Sequence, residues 1–282
     1  MLRLGRFELH ALEDGSFALD GGAMFGIVPK PLWERQLPAD ERNRVRLALR
    51  CLLVIDGPRR ILIDDGMGDK WTEKQLGIYG LDRERSSLDR ELARVGVARE
   101  EVTDVVLTHL HFDHAGGTTR RGPTGALELS FPNATHHLQT RNWRWAQAPT
   151  DKDAGSYLAE NFDLLERSGR LHLLDGETEL FPGLRLLLSE GHTVALQLPR
   201  IEDDSESLIY CADLIPTAAH LRPSWVMGYD LFPVTSIDEK KALLARAERD
   251  RSILFFEHEP RFAACRLRRE GQDLVAGEPI AL

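Results

Sequence analysis

The chain has 282 residues, with 45 acidic side chains against 36 Lys and Arg and a formal net charge of −9. That balance offers no basic field to nucleic acid or to an anionic membrane, and no apolar run approaches the ~20 residues of a membrane span. Three cysteines, Cys51, Cys211 and Cys265, are too few and odd in number for a disulfide framework; with an N-terminus lacking an apolar signal core, they give packed, reduced thiols and a cytoplasmic protein as the expectation.

The length suits one domain over residues 1–282, large enough to bury a substantial core. Extended segments are expected at Arg6–Ala11, Ser16–Leu19, Arg46–Ile55 and Arg60–Ile63, with a turn at 56–59 between the last two. Met24, Phe25 and Trp33 are candidates to roof an apolar pocket, against an ordinary core role. The run Ile61–Gly66 contains Asp64 and Asp65 at a strand end, where either can orient a neighbouring ring or cap a turn. Helices are expected at Trp71–Tyr79 and Ser87–Val95, the second amphipathic through Leu88, Leu92 and Val95.

Asp104–Thr108 is a short apolar, β-branched run of the kind that forms a buried strand. Immediately after it, His109, His111, Asp113 and His114 fall within six residues. Nitrogen and oxygen ligands at this density suit one first-row divalent ion or two side by side. Gly116 and Gly117 let the chain turn sharply, so the cluster sits on a loop at a strand end. A solvated His-rich loop would share the composition, but this spacing seldom arises by chance.

Further on, a strand is expected at Ala134–Leu138 and helices at Arg141–Ala146 and Tyr157–Arg167, separated by a polar break. Strands follow near 171–174, 184–188, 196–201 and 207–212, then a helix at Ile237–Asp250, then strands at 252–257 and 262–267. His192, Asp213 and His258 each lie at or just past one of these strand ends. Singly, each has an ordinary reading, a structural histidine or a turn-starting aspartate. Three in series after the cluster point jointly to one site. Thr108 and Thr193 flank ligands and are candidates to bond them. Asp113, Asp213, His220 and Tyr229 are the candidate catalytic residues, the last two on the substrate side in an aromatic segment after Asp213. His10, His136, His137 and His172 have no assigned role, and Arg266–Arg269 reads as a solvated face.

The series His109-x-His111-x-Asp113-His114, His192, Asp213, His258 resembles the dinuclear hydrolases of the metallo-β-lactamase superfamily. The likeness runs over essentially the full length and includes Ile61–Gly66. Residues 21–30 and 213–220 are similar to the group containing acyl-homoserine lactonases and methyl-parathion-type organophosphate hydrolases. The resemblance implies an α/β fold, a four-layered αββα sandwich. It also implies two divalent ions, zinc by default, with Mn, Fe, Co or Ni as alternatives. His109, His111 and His192 would hold the first, Asp113, His114 and His258 the second, and Asp213 would bridge them. Such a pair lowers the pKa of a shared water to about 7, which can then attack a carbonyl or phosphoryl centre. The implied partner is a small ester, lactone or phosphotriester, and a homodimer is compatible. One departure stands out: the lactonase group carries a tyrosine shortly after the bridging aspartate, whereas the first tyrosine after Asp213 here is Tyr229. A glyoxalase II-like thioesterase and a non-catalytic metal-bound ligand sensor are the alternative readings.

Overall fold

Alternation along the central strands decides the layering. Leu52, Val54, Ile61, Ile63 and Val106 enter one core cluster, while their chain neighbours Leu53, Leu62, Val105 and Leu107 enter another. Side chains of a strand point alternately to its two faces, so a sheet apolar on both must be covered on both. In the computed structural model, which describes residues 1–282, two seven-stranded sheets provide one cover for each other.

The first sheet contains β1 (Leu2–Leu4), β2 (Phe7–Asp20), β3 (Arg44–Asp56), β4 (Arg59–Ile63) and β5 (Asp104–Val106). Helices α1 (Gly21–Phe25), α2 (Lys30–Trp33), α3 (Glu73–Tyr79) and α4 (Leu88–Arg94) lie between these strands in the chain. A small hairpin, β6 (Thr119–Arg121) with β7 (Leu127–Leu129), follows. Strands β8 (Thr135–Gln139) and β9 (Leu171–Leu174) complete the first sheet, with α5 (Thr140–Gln147) and α6 (Ala159–Ser168) between them. The second sheet runs in chain order: β10 (Thr178–Phe181), β11 (Leu184–Ser189), β12 (Leu196–Glu202), β13 (Ser207–Tyr210), β14 (Ile253–Phe255), β15 (Ala264–Glu270) and β16 (Asp273–Ile280), with α7 (Pro233–Arg249) joining β13 to β14. Leu88 and Leu92 of α4, Trp143 of α5, and Phe162 and Leu165 of α6 cover the outer face of the first sheet; Leu243, Leu244 and Ala247 of α7 pack on the second. The αββα layering follows from these contacts.

Local chemistry sets the element ends. Thr72 and Gln75 form a reciprocal cap, so α3 starts at Glu73 rather than at Trp71. Helix α7 begins at Pro233, four residues before the expected start, because proline is tolerated where no intrahelical N–H is needed. The two expected segments Arg6–Ala11 and Ser16–Leu19 fuse into β2, with an irregular register between Glu13 and Ser16. The structure also adds β16, an exposed-to-intermediate strand containing Gly277 and Pro279. Its ladder with β15, rather than its own pattern, makes it a strand. No helix is long and apolar enough to cross a membrane.

Candidate metal centre and its cavity

The parallel pairs β4–β5 and β13–β14 deliver chain to the same edge of their sheets. Past β4 comes Asp64; past β5 come Thr108 and the 109–117 loop; past β14 come Glu257 and His258. His192 follows β11, and Asp213 sits on a single 3-10 turn, Ala212–Leu214, after β13. The loop is compact because its glycines admit close approach. A Cβ on Gly117 would stand 2.0 Å from the Asp65 carbonyl oxygen, so no other residue fits without displacing the backbone.

All seven predicted ligands are buried, and they meet. Ligand atoms of His109, His111, His192 and Asp213 lie within 4.8 Å of one another, as do those of Asp113, His114 and His258. Asp213 reaches both groups: one oxygen is 3.2 Å from His192 Nε2 and 3.5 Å from His114 Nε2, the other 3.2 Å from His258 Nε2.

The outer partners fix which nitrogen of each ring carries a lone pair. His258 Nδ1 lies 2.9 Å from the Ala48 carbonyl, which only accepts, so the proton is on Nδ1 and the Nε2 lone pair faces inward. His192 Nδ1 faces the Asp230 carboxylate at 3.0 Å. His114 Nδ1 faces Glu257 at 2.9 Å and Asp64 at 3.0 Å. Thr108 Oγ1 donates to Asp64 at 2.8 Å and therefore accepts from His109 Nδ1 at 3.0 Å. Four imidazoles so held turn their Nε2 atoms inward, where a bound cation would take the lone pair in place of a proton. His111 Nδ1 meets His192 Nε2 at 3.1 Å, and His114 Nε2 meets His258 Nε2 at 3.4 Å. The Nε2 atoms of His109 and His111 are buried with no hydrogen-bond partner. Lone pairs facing each other and two carboxylates form a donor set that fits divalent cations.

The electrostatics agree. Burial drives the His109 and His111 rings well below the usual imidazole range, which keeps them neutral. At His258 burial is outweighed by the Asp213 carboxylate, which lifts the ring to about 9. At His114 burial is likewise outweighed by Glu257, Asp213 and Asp113. Carboxylates therefore draw positive charge to this spot.

A cavity of about 280 Å³ opens onto the cluster, lined by His111, Asp113, His192, Asp213 and His258 at its floor. Leu19, Met24, Phe112 and Met227 give it an apolar wall, and Tyr79, Tyr229, Lys152 and Ser156 complete it. Neither Tyr79 nor Tyr229 makes a side-chain hydrogen bond within the protein, and burial pushes both phenols above their ordinary range. A larger cavity, about 490 Å³, lies behind the loop but contains none of the seven ligands; the ion pairs Arg83–Asp14, Arg99–Asp89 and Arg120–Glu128 line it.

Tyr229 thus reaches the cavity, but His220 does not. Its Nδ1 pairs with Thr217 Oγ1 at 2.8 Å, its Nε2 with the Met24 carbonyl at 2.9 Å, and its ring stacks on Phe25 at 4.8 Å. Both ring nitrogens are occupied inside the core, so the substrate-side expectation for His220 is corrected to a structural one: it fastens α1, from which Met24 reaches the cavity. Phe25 and Trp33 stack on each other at 5.2 Å in the core behind that wall, and only Met24 of the three lines the cavity. Of Asp64 and Asp65, Asp64 holds the ligand loop, while Asp65 accepts from Thr118. Thr193 bonds the Tyr157 hydroxyl at 2.7 Å rather than a ligand. Cys51, Cys211 and Cys265 are buried free thiols.

Sequence reasoning missed Glu257, Asp230, Tyr79 and Lys152. Glu257, adjacent to His258 at the end of an apolar run, carried a usable signal. The other three have none that is local: the side-chain partner of Asp230 lies 38 residues away, the partners of Lys152 lie 76 to 78 away, and Tyr79 meets the site only through the cavity it lines.

Residues 49–258 match the family model described as the metallo-beta-lactamase superfamily. The chain is 29% identical over 189 residues to N-acyl homoserine lactonase AttM of Rhizobium johnstonii, across 64% of this chain and 66% of that one. A crystal structure of a probable metal-dependent hydrolase from Staphylococcus aureus superposes with a TM-score of 0.89 and 32% identity, over 99% of this chain and 100% of the other. AidC, a dizinc quorum-quenching lactonase in complex with a product, shares the fold at TM-score 0.80 and 22% identity, over 100% of this chain and 97% of its own.

Proposed function

The chain belongs to the metallo-β-lactamase superfamily, and from that premise we propose that it is a metal-dependent hydrolase that opens small lactones or esters at a dinuclear centre. The observation that carries the reading is the convergence of inward-facing imidazole lone pairs and two carboxylates on the floor of a cavity with an apolar wall. In this reading His109, His111 and His192 would hold one ion and Asp113, His114 and His258 a second, with Asp213 available to both. Bound cations would supply Lewis acidity toward a substrate oxygen and acidify a coordinated water.

The chain's own groups do the rest. Asp64, Asp230, Glu257 and Thr108 keep the rings in the ligating tautomer. The Tyr229 and Tyr79 phenols, protonated and unpartnered, are donors for the carbonyl oxygen as negative charge grows on it. Leu19, Met24, Phe112 and Met227 accept an apolar acyl or aryl group. That wall supports a neutral, partly apolar substrate, and a phosphotriester meets the same requirement. The relative named as an N-acyl homoserine lactonase adds weight to the lactone.

The test combines elemental analysis of the purified protein with turnover of a lactone, an aryl ester, a thioester and a phosphotriester. About two metals per chain with lactone or ester turnover are expected. Asp213→Ala is expected to lose metal and nearly all activity. Full metal with no turnover of any class would sink the hydrolase in favour of a sensor.

A further inference from the structure

Three consecutive carbonyls at the cavity rim point at one ammonium. Lys152 Nζ lies 2.9 Å from the carbonyl oxygen of Gly228, 3.0 Å from that of Tyr229 and 2.9 Å from that of Asp230. A lysine ammonium has three protons, so all are engaged and none remains for a substrate.

The segment it binds carries two groups that matter to the site. The Tyr229 ring lines the cavity, and the Asp230 carboxylate sets the His192 ring. Backbone N–H groups hold this stretch from the other side: Gly228 donates to Ala23 at 2.8 Å, Leu231 to His192 at 3.0 Å and Phe232 to Gly191 at 2.8 Å. The carbonyls of 228–230 have Lys152 as their shared partner. The loop bearing Lys152 is itself fixed. Asp153 accepts from the Thr150 backbone N–H at 2.8 Å and from Trp145 Nε1 at 2.7 Å, and the Ser156 carbonyl accepts from the Phe112 N–H at 2.9 Å. Hydrogen bonds therefore run as an open chain along the mouth, from the 109–117 loop through 152–156 and 228–230 to α1. Lys152 is the side-chain link in that chain.

We propose that Lys152 is a positioning residue that holds Tyr229 over the metal-facing floor and thereby sets the reach of the cavity. The proposal deepens the hydrolase reading and, for its kinetic consequence, rests on it. The residue itself is exposed, so its replacement removes little buried contact and leaves a folded protein to measure. Without the ammonium the three carbonyls turn to water, and the segment relaxes about its N–H anchors.

The experiment uses the full-length, metal-loaded protein labelled with 3-fluorotyrosine. The chain has four tyrosines, and Tyr229→Phe assigns the Tyr229 fluorine resonance. Lys152→Met is expected to shift or broaden the Tyr229 resonance and to leave that of Tyr210, deep between the sheets, in place. With the substrate that the wild type turns over, kcat/KM should fall, by up to about 100-fold for a reacting-site group displaced by ~1 Å. In the Tyr229→Phe background the same substitution should cost much less. Lys152→Arg, which restores a cationic donor, should recover part of the loss. An unmoved Tyr229 resonance in Lys152→Met, or movement of all four alike, overturns the proposal. A Tyr229-specific shift in a protein that hydrolyses none of the four substrate classes would support the positioning role while removing the hydrolase reading.

Discussion

Asp64 adopts a left-handed backbone conformation, φ 55°, that a residue with a Cβ rarely takes. Its carboxylate receives the Thr108 N–H at 2.7 Å and the Thr108 hydroxyl at 2.8 Å, and it faces His114 at 3.0 Å. A strained residue persists where its surroundings over-determine it, and here they do so on behalf of the ligand loop. Asparagine tolerates the same backbone, so Asp64→Asn isolates the carboxylate. Metal affinity, read by competition with a chromophoric chelator, should drop roughly 10–100-fold, the usual effect of losing a partner that orients a ligand; wild-type affinity would remove Asp64 from the centre. His220 makes the opposite case. His220→Ala leaves Thr217 Oγ1 and the Met24 carbonyl without their partner, at a cost of about 1–3 kcal/mol. Thermal denaturation should show that loss while elemental analysis finds wild-type metal. A metal-depleted variant of unchanged melting temperature would contradict it.

Elements contribute through where they end. Parallel β4 and β5 place Asp64 beside Thr108, and the 109–117 loop folds back so tightly that Gly117 packs on the Asp65 carbonyl. Two substitutions separate this geometry from general stability. Leu92→Ala hollows out the contact of α4 with the first sheet and should cost about 2–5 kcal/mol with metal content intact. Gly117→Ala adds one methyl at 2.0 Å from a carbonyl and must displace the loop. It should cut metal content far more than the leucine change does, and equal metal loading in the two variants would mean that the glycine approach does not shape the site.

At the scale of the molecule the centre is a seam. His109, His111, Asp113 and His114 come from the loop after the first sheet's β5, whereas His192, Asp213 and His258 follow strands of the second. An ion bound by both groups would tie the halves together and stabilise only the folded state, by about 4 kcal/mol when its free concentration is 1,000 times its dissociation constant. Chelation should therefore lower the melting temperature by several degrees, and re-addition of the native divalent ion should restore it. A melting curve indifferent to chelator would contradict a cation at the seam. The amino-acid sequence by itself determined the ligand cluster and its place at a strand end, because both are short-range: four ligating side chains within six residues, an apolar β-branched run before them and two glycines after. The three later candidate ligands were legible through a related device, a His or Asp at the end of an apolar run or, for His192, a few residues past one. Which side chains stand behind the ligands was decided only in three dimensions. Asp230 meets His192 across 38 residues and Lys152 meets the Tyr229 carbonyl across 77, while His220, close to Asp213 in the chain, turns into the core to grip Met24. A side chain's partner at that range is set by how the two sheets pack and where their connecting loops cross, and no local pattern encodes it.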